Sequence, residues 1–295
     1  MKEMFKNNKP TTTMAEKSRS NIALDYGLSE NAYSSGYLLR LKYSSFMQEA
    51  IDWFSRHCSE LLPVEAPRVL SLGCGSGIFD LKLIRIIQQQ ITQQKEMTLD
   101  FTGLDFNLTD LNYFRKSLSD QSLETQSSVT LKYKKFEQST DLGERYDLIT
   151  MVHFLHSFDD VFPIIKNALR HVSPGGKLLI VQQKKKGMSE LKDTFLDILS
   201  NRKFQCTDHI KELLQSEKID FTSHNIDTYF DVSIMKKMSL DTLLLMSFCL
   251  SNDLSILNTQ QQDQIRNAFL SLAKVEHDGE QVIYEPMEVI VCYKH

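Results

Sequence analysis

Val69-Leu70-Ser71-Leu72-Gly73-Cys74-Gly75-Ser76-Gly77 decides the fold. Its first four residues form a compact, mostly apolar run, the pattern of a buried strand. Three glycines at alternate positions follow. From Ile78 the period changes: Ile78, Leu81, Ile84, Ile87 and Ile91 recur at helical spacing. The segment therefore reads as strand, glycine turn, helix. Glycine accepts positive φ and lets a ligand approach the backbone closely. The helix that follows offers free N–H groups at its first turn. A tight strand-to-helix turn with no ligand is the alternative reading of the same residues.

Moving outward, Leu99 to Leu104 reads as a second strand, ended by Asp105. In doubly wound sheets, an acid at this place accepts hydrogen bonds from ribose hydroxyls. Taken alone, Asp105 also suits a helix cap or a turn. A dinucleotide fingerprint requires GxGxxG, whereas Ile78 stands where its last glycine would be. The turn therefore suits a nucleoside joined to an amino acid better than a pyrophosphate.

The alternation continues. Leu108 to Leu118 reads as a helix, Val129 to Lys134 as a strand and Tyr146 to Val152 as a strand. Val161 to His171 reads as a helix stopped by Pro174-Gly175-Gly176, and Lys177 to Gln182 as a strand. Upstream, Tyr37, Leu38, Leu41, Phe46, Ala50, Trp53 and Phe54 suggest two short helices ending at Pro63. Downstream, helices are expected over Glu190 to Leu199, Asp208 to Glu217, Leu240 to Asn252 and Gln260 to Lys274. Phe221 to Val232 and Met287 to Tyr293 read as strands. Such alternation predicts an α/β fold: a doubly wound, mostly parallel seven-stranded sheet of Rossmann-like type. The expected divisions are a disordered tail (1–20), an N-terminal helical lid (21–62) and a nucleoside-binding core (63–185). Residues 186–295 then complete the sheet and carry a helical insertion (233–274) over the substrate side.

Composition narrows the partners. Thirty-four basic and 38 acidic residues give a net charge of −4, without the basic excess that phosphate backbones require. Lys184-Lys185-Lys186 is a short solvated run, so no nucleic acid is expected. Cys58, Cys74, Cys206, Cys249 and Cys292 are odd in number and contain no CxxC. They fit neither a disulfide framework nor a metal site, and suggest a reducing compartment. The longest apolar run, Leu243 to Met246, is too short for a bilayer. With no leader-like stretch at the start, the chain is read as cytoplasmic, without a membrane partner.

Leu72-Gly73-Cys74-Gly75-Ser76-Gly77 resembles motif I of class I S-adenosylmethionine-dependent methyltransferases. Tyr146-Asp147-Leu148-Ile149 and Pro174-Gly175-Gly176-Lys177-Leu178 resemble that family's fourth strand and the turn before its fifth. The resemblance implies S-adenosyl-L-methionine as cofactor, with no metal. It implies that Gly73, Cys74 and Gly75 line the methionine part and that Asp105 binds the ribose. Phe106, Phe136 and Glu137 would lie near the adenine, and Val152 and His153 near the sulfonium.

A narrower resemblance, to the histamine N-methyltransferase family, runs through most of the chain. It rests on Phe46-Met47-Gln48-Glu49, Ile78-Phe79-Asp80-Leu81, Met151 to His156, Asp227 to Val232 and Val282 to Tyr293. It implies a small-molecule substrate methylated at an amine nitrogen. The family's acid on the N-terminal helix falls on Tyr43, its aromatic pair on Met188 and Lys192, and its C-terminal amide at Glu285-Pro286. These departures point to an amine other than histamine.

His153 and His156 are the candidate catalytic residues. A histidine titrating near pH ~6.5 holds an acceptor nitrogen by hydrogen bond or takes its proton; packing against a helix is the plainer alternative for each. Tyr37, Tyr43, His156 and Glu285 are the candidate substrate contacts. Glu285 suits an ammonium group or a surface position, and the tyrosines suit a lid or a core. A methyltransferase acting on protein or RNA, and an inactive binding module of the same fold, are the competing readings. Met151-Val152-His153-Phe154 stands where methylases of planar amides or base amines carry an Asn/Asp-Pro-Pro-Tyr/Phe motif.

Overall fold

The computed structural model describes residues 28–62, 66–91, 98–123, 127–195, 205–277 and 280–294. The expected tail (1–20), the first residues of the expected lid and the end of the helix expected at Glu190 to Leu199 lie outside them.

Two helices open the described chain, α1 (Glu30–Lys42) and α2 (Phe46–Leu61). The Ser29 side chain accepts the N–H of Ala32 and so caps α1. The decisive segment follows as β1 (Arg68–Leu72) and α3 (Ile78–Ile91). Next come β2 (Leu99–Asp105), α4 (Leu108–Asp120), β3 (Ser127–Tyr133) and β4 (Tyr146–Val152). A one-turn helix, Leu155–Ser157, precedes α5 (Phe162–Arg170), β5 (Val172–Gln183), α6 (Met188–Thr194) and α7 (Thr207–Ser216). The chain continues through β6 (Phe221–Ile226), β7 (Tyr229–Asp231), α8 (Leu240–Leu250) and α9 (Thr259–Leu272). It ends with β8 (Val275–His277), β9 (Glu280–Tyr284) and β10 (Met287–Tyr293).

The large sheet has seven strands in the order β3-β2-β1-β4-β5-β10-β6. β1 pairs in parallel with β2 and β4, and β5 in parallel with β4; β10 runs antiparallel to both β5 and β6. The mostly parallel, doubly wound sheet is therefore the one expected. Helices cover both faces, which is why β1 and β4 are apolar without alternation. One face packs Trp53, Phe54, Leu83, Ile84 and Phe114 against the sheet. The other packs Ile164, Ile165, Ile210 and Leu214.

Strand order reverses between β2 and β4, on either side of β1. At such a switch point the loops at the carboxyl ends of the strands diverge and leave a crevice. The glycine turn, Asp105 and the segment after β4 all lie at that end.

Two local expectations need correction. Pro174-Gly175-Gly176 is no separate turn: β5 begins at Val172, and the irregularity falls on its pairing with β4, between Tyr146 and Leu148. Phe221 to Val232 is not one strand. β6 pairs with β10 in the large sheet, whereas β7 joins β9 and β8 in a separate three-stranded sheet. The break at Asp227-Thr228 faces a matching break at Glu285-Pro286, where proline has no N–H for a ladder. There the N–H of Glu285 donates to Thr228 O at 2.9 Å. The small sheet, α6, α8 and α9 share a third core around Phe230, Met246, Phe269 and Ile283.

Among the described residues, no helix is long and apolar enough to cross a membrane, and no cluster of His, Cys, Asp or Glu could hold a metal ion. All five cysteines are free thiols.

Candidate functional site

The turn after β1 is tied to β2 by its backbone. The N–H groups of Gly73 and Cys74 both donate to Leu104 O, at 2.8 and 3.3 Å. Gly73, Gly75 and Gly77 have φ of +71°, +52° and +77°, a region that side chains beyond glycine occupy only under strain. Their surroundings differ. A Cβ on Gly73 would sit 2.4 Å from the Phe154 ring, and one on Gly77 would sit 2.2 Å from the Phe114 ring. A Cβ on Gly75 would meet nothing within 4 Å. Gly73 and Gly77 are therefore required by the protein's own packing. Gly75 faces open space. Cys74 turns its thiol into the core beside Gly103, which leaves its backbone at the turn.

Asp105 closes the arrangement. Its Oδ2 accepts the N–H of Gly75 at 2.8 Å, and its Oδ1 accepts the N–H of Asn107 at 2.7 Å. The residue is 9% exposed. Burial pushes its pKa up, and the bonds from Asn107, Gly75 and Phe106 pull against that. A carboxylate has about four lone-pair sites, so these bonds leave Asp105 room to accept more. Phe106 follows it, half-buried.

A second acid lies beneath the turn. Asp80, on the first turn of α3, is buried, and its Oδ1 has no hydrogen-bond partner among the described residues. Burial raises its pKa to about 7; a hydrogen bond with Ser71 of β1 opposes the rise, and the charge of Asp105 adds to it. Tyr37, half-buried on α1, feels both Asp80 and Asp110, which together with burial push its hydroxyl pKa up. Tyr37 thus stands on the glycine-turn side of the crevice.

At the end of β4, Val152 is half-buried and His153 takes φ +50°. The His153 N–H donates to Val181 O at 3.0 Å, which pins the backbone there. Its ring meets Phe46 edge-on, with centroids 4.6 Å apart. The ring is half-buried, but its Nε2 lies out of solvent without a partner among the described residues. Burial, aided by the charges of His156 and Arg40, lowers its pKa to about 3. His153 is therefore neutral at physiological pH and a poor proton acceptor. Of the two expected roles, only hydrogen bonding suits this environment. His156 sits on the one-turn helix, half-buried.

Glu285 departs most from expectation. It is 2% exposed, so it is no surface acid. Its carboxylate forms an ion pair with Arg40 of α1 through Oε2, and its Oε1 accepts from Gln183 Nε2 at 2.8 Å. Its charge is already met, so it is not an open anchor for an ammonium group. Phe136 also needs correction. It is fully buried among Leu70, Leu104 and Leu155, with no free face for a base. Of that pair, Glu137 is exposed and pairs with Lys135 at 3.0 Å. Tyr43 ends α1, partly buried against the third core, with Lys42 over its ring.

Arg40 and Asp80 were not singled out from sequence. Both carried a signal. Arg40 follows Tyr33 and Tyr37 at helical spacing, a charge on an aromatic stripe. Asp80 shares a helix face with Ile84 and Ile87, both buried.

The family described as "Methyltransferase domain" matches residues 43–219, more than half of the chain. The chain belongs to this methyltransferase family. Its sheet order and glycine turn are those of the class I methyltransferase fold. Its fold resembles that of the YcgJ protein from Bacillus subtilis, with a TM-score of 0.56 at 12% identity, over 84% of this chain and 99% of that one. Among curated proteins it resembles a ubiquinone biosynthesis O-methyltransferase of Proteus mirabilis, 29% identical over 110 residues. A protein of the same description from Azorhizobium caulinodans is 24% identical over 129 residues. These matches span 37% and 43% of the methyltransferase and only 39% and 44% of the relatives' own lengths. The residues at the turn fit the cofactor: Gly75 opens onto space that a Cβ would fill, and Asp80 Oδ1 is a buried polar atom left without a partner among the described residues.

Proposed function

We propose that this methyltransferase acts on a small molecule, at an amine nitrogen. The observation that carries this reading is the neutral His153 with its unpartnered Nε2, at the end of β4 beside the glycine turn. The bound cofactor supplies an electrophilic methyl group on a sulfonium. Its methyl group would go to the acceptor's lone pair with the sulfur released as a thioether, and the acceptor's surplus proton would pass to solvent.

An uncharged amine needs no base before it attacks. A dry site helps, because burial disfavours the ammonium form. A neutral imidazole orients such an amine by accepting its N–H. The remaining contribution is positioning. In this reading Gly73, Cys74, Gly75 and Asp105 hold the cofactor, with Phe106, Glu137 and Val152 around it. Tyr37, Tyr43 and His156 border the acceptor.

The curated relatives favour a second reading, transfer to a hydroxyl oxygen, since both are O-methyltransferases. A hydroxyl acidic enough to ionise unaided, such as an activated phenol, would suit a site with so weak a base. Purified protein incubated with methyl-labelled S-adenosylmethionine and a panel of amines and phenols tests both. Label on amines supports the first reading and label on phenols alone replaces it with the second. Label found only on intact protein or RNA removes the small-molecule claim. His153→Ala is expected to lower transfer about tenfold, the worth of one orienting hydrogen bond, while binding of S-adenosylhomocysteine persists.

A further inference from the structure

We propose that Asp80 lets the protein tell S-adenosylmethionine from its spent product: the buried carboxylate beneath the glycine turn favours the charged sulfonium over the uncharged sulfur left after transfer. This rests on the cofactor's placement at that turn and stands whichever atom accepts the methyl group.

Asp80 is 2% exposed and lies on the first turn of α3, just beyond Gly77. It hydrogen-bonds with Ser71, on β1 just before the turn. The carboxyl group therefore bridges the strand and the helix that the turn joins. Its Oδ1 has no hydrogen-bond partner among the described residues. The influences on its proton are burial, Ser71, its own backbone and the charge of Asp105; no cation is among them. Lys82, on the same helix, reaches Gln48 of α2 instead, at 3.1 Å.

The other groups that face Asp80 are neutral. Tyr37 of α1 and Cys74 of the turn are held protonated by burial and by acids around them. Asp110 of α4 bears on the same two groups and has a partner of its own. At Cys74, a residue of the turn itself, the charge of Asp80 acts more strongly than that of Asp105. The field of Asp80 thus reaches the backbone that holds the cofactor, with no direct contact required.

Charge separates two ligands of nearly the same shape. S-adenosylmethionine and S-adenosylhomocysteine differ by one methyl group and by the positive charge on sulfur. An ionised carboxylate in a poorly solvated place attracts that charge, whereas a protonated one does not. Burial raises the Asp80 pKa to about 7, so the free protein holds it partly ionised near neutrality. A cation favours the ionised form, so binding of S-adenosylmethionine drives the proton off. Its affinity therefore climbs as pH rises through about 7 and levels off above. S-adenosylhomocysteine lacks the sulfur charge, so its affinity climbs less. Once the methyl group has gone, this attraction has gone with it, which favours release of the product.

Calorimetric titration of both ligands into the intact protein, without acceptor and from pH ~6 to ~8, tests the idea. The affinity for S-adenosylmethionine relative to S-adenosylhomocysteine is expected to grow about fivefold over that range. Asp80→Asn, close in shape and uncharged, should hold the ratio flat at its low-pH value. Ser71→Ala removes a hydrogen bond that favours the charged form, so it should move the rise to higher pH. Mere loosening of the fold would not produce that displacement. His156, half-buried on the one-turn helix after β4, is the other group there able to give a rise of this sign; His156→Gln should leave the rise intact. A ratio that does not change with pH, or one that still rises in Asp80→Asn, overturns the inference and leaves the cofactor site standing. An unmoved midpoint in Ser71→Ala overturns it as well. Binding of neither ligand overturns both.

Discussion

The carboxylate of Asp105, at the end of β2, accepts the backbone N–H of Gly75 at 2.8 Å. This bond joins the two sequence features that define the site. It runs from a residue fixed by one strand to a turn fixed by its neighbour, so the crevice is held from both sides before any ligand arrives. Preorganisation of this kind lowers the cost of binding.

The three glycines should separate packing from binding. Gly77→Ala places a methyl against the Phe114 ring at positive φ, and is expected to cost about 1–3 kcal/mol of stability. Gly75→Ala meets no protein atom. It should cost about 1 kcal/mol from the backbone alone, yet weaken binding of S-adenosylhomocysteine much more than Gly77→Ala does. Chemical denaturation and ligand titration of both variants check this. Equal binding losses, scaling with stability, would contradict it.

Asp80 gives the ligand-free protein a pH signature. Its folded pKa of about 7 exceeds the unfolded value of about 3.9. The native state therefore holds a proton that the unfolded state has lost. Stability is full below pH ~4 and declines as pH rises through about 7, by up to about 4 kcal/mol for this one group. Asp80→Asn should flatten the decline. Denaturation midpoints from pH 5 to 8 measure the difference; parallel curves for the two proteins would refute the assignment.

Arg40 and Glu285 should be sensitive to being separated. Glu285→Ala strands a guanidinium in the third core, at a cost of about 3–5 kcal/mol. Replacing both, as in Arg40→Met with Glu285→Leu, should recover much of that loss, because the desolvation of two charges disappears as well. A double-mutant cycle by urea denaturation gives the coupling. Additive losses would show that the pair contributes nothing jointly.

The large sheet was legible because its strands are buried on both faces. Tyr146–Val152 and Met287–Tyr293 have the bounds that their apolar runs suggest, and α3 follows its isoleucine period from Ile78 to Ile91. The glycine turn and Asp105 were legible for a similar reason: backbone geometry restricts which residues can stand there. The small sheet was not. β9 pairs on one side with β7, some fifty residues earlier, and no local period records a non-local pairing. The pairing of Glu285 with Arg40 spans 245 positions. Sequence supplied two charged residues, but only the fold brings them together and turns an expected anchor for an amine into a satisfied ion pair. His153 was readable as a candidate. Its neutrality was not, because the pKa is set by burial and by charges from other elements.

Isothermal titration of S-adenosylhomocysteine into the wild-type protein and into Asp105→Ala tests the central claim most directly. The geometry predicts one site per chain, weakened about tenfold or more in the variant through loss of the ribose contact and of the bond to Gly75. Undiminished affinity in a folded Asp105→Ala, or no binding to the wild type, would contradict it.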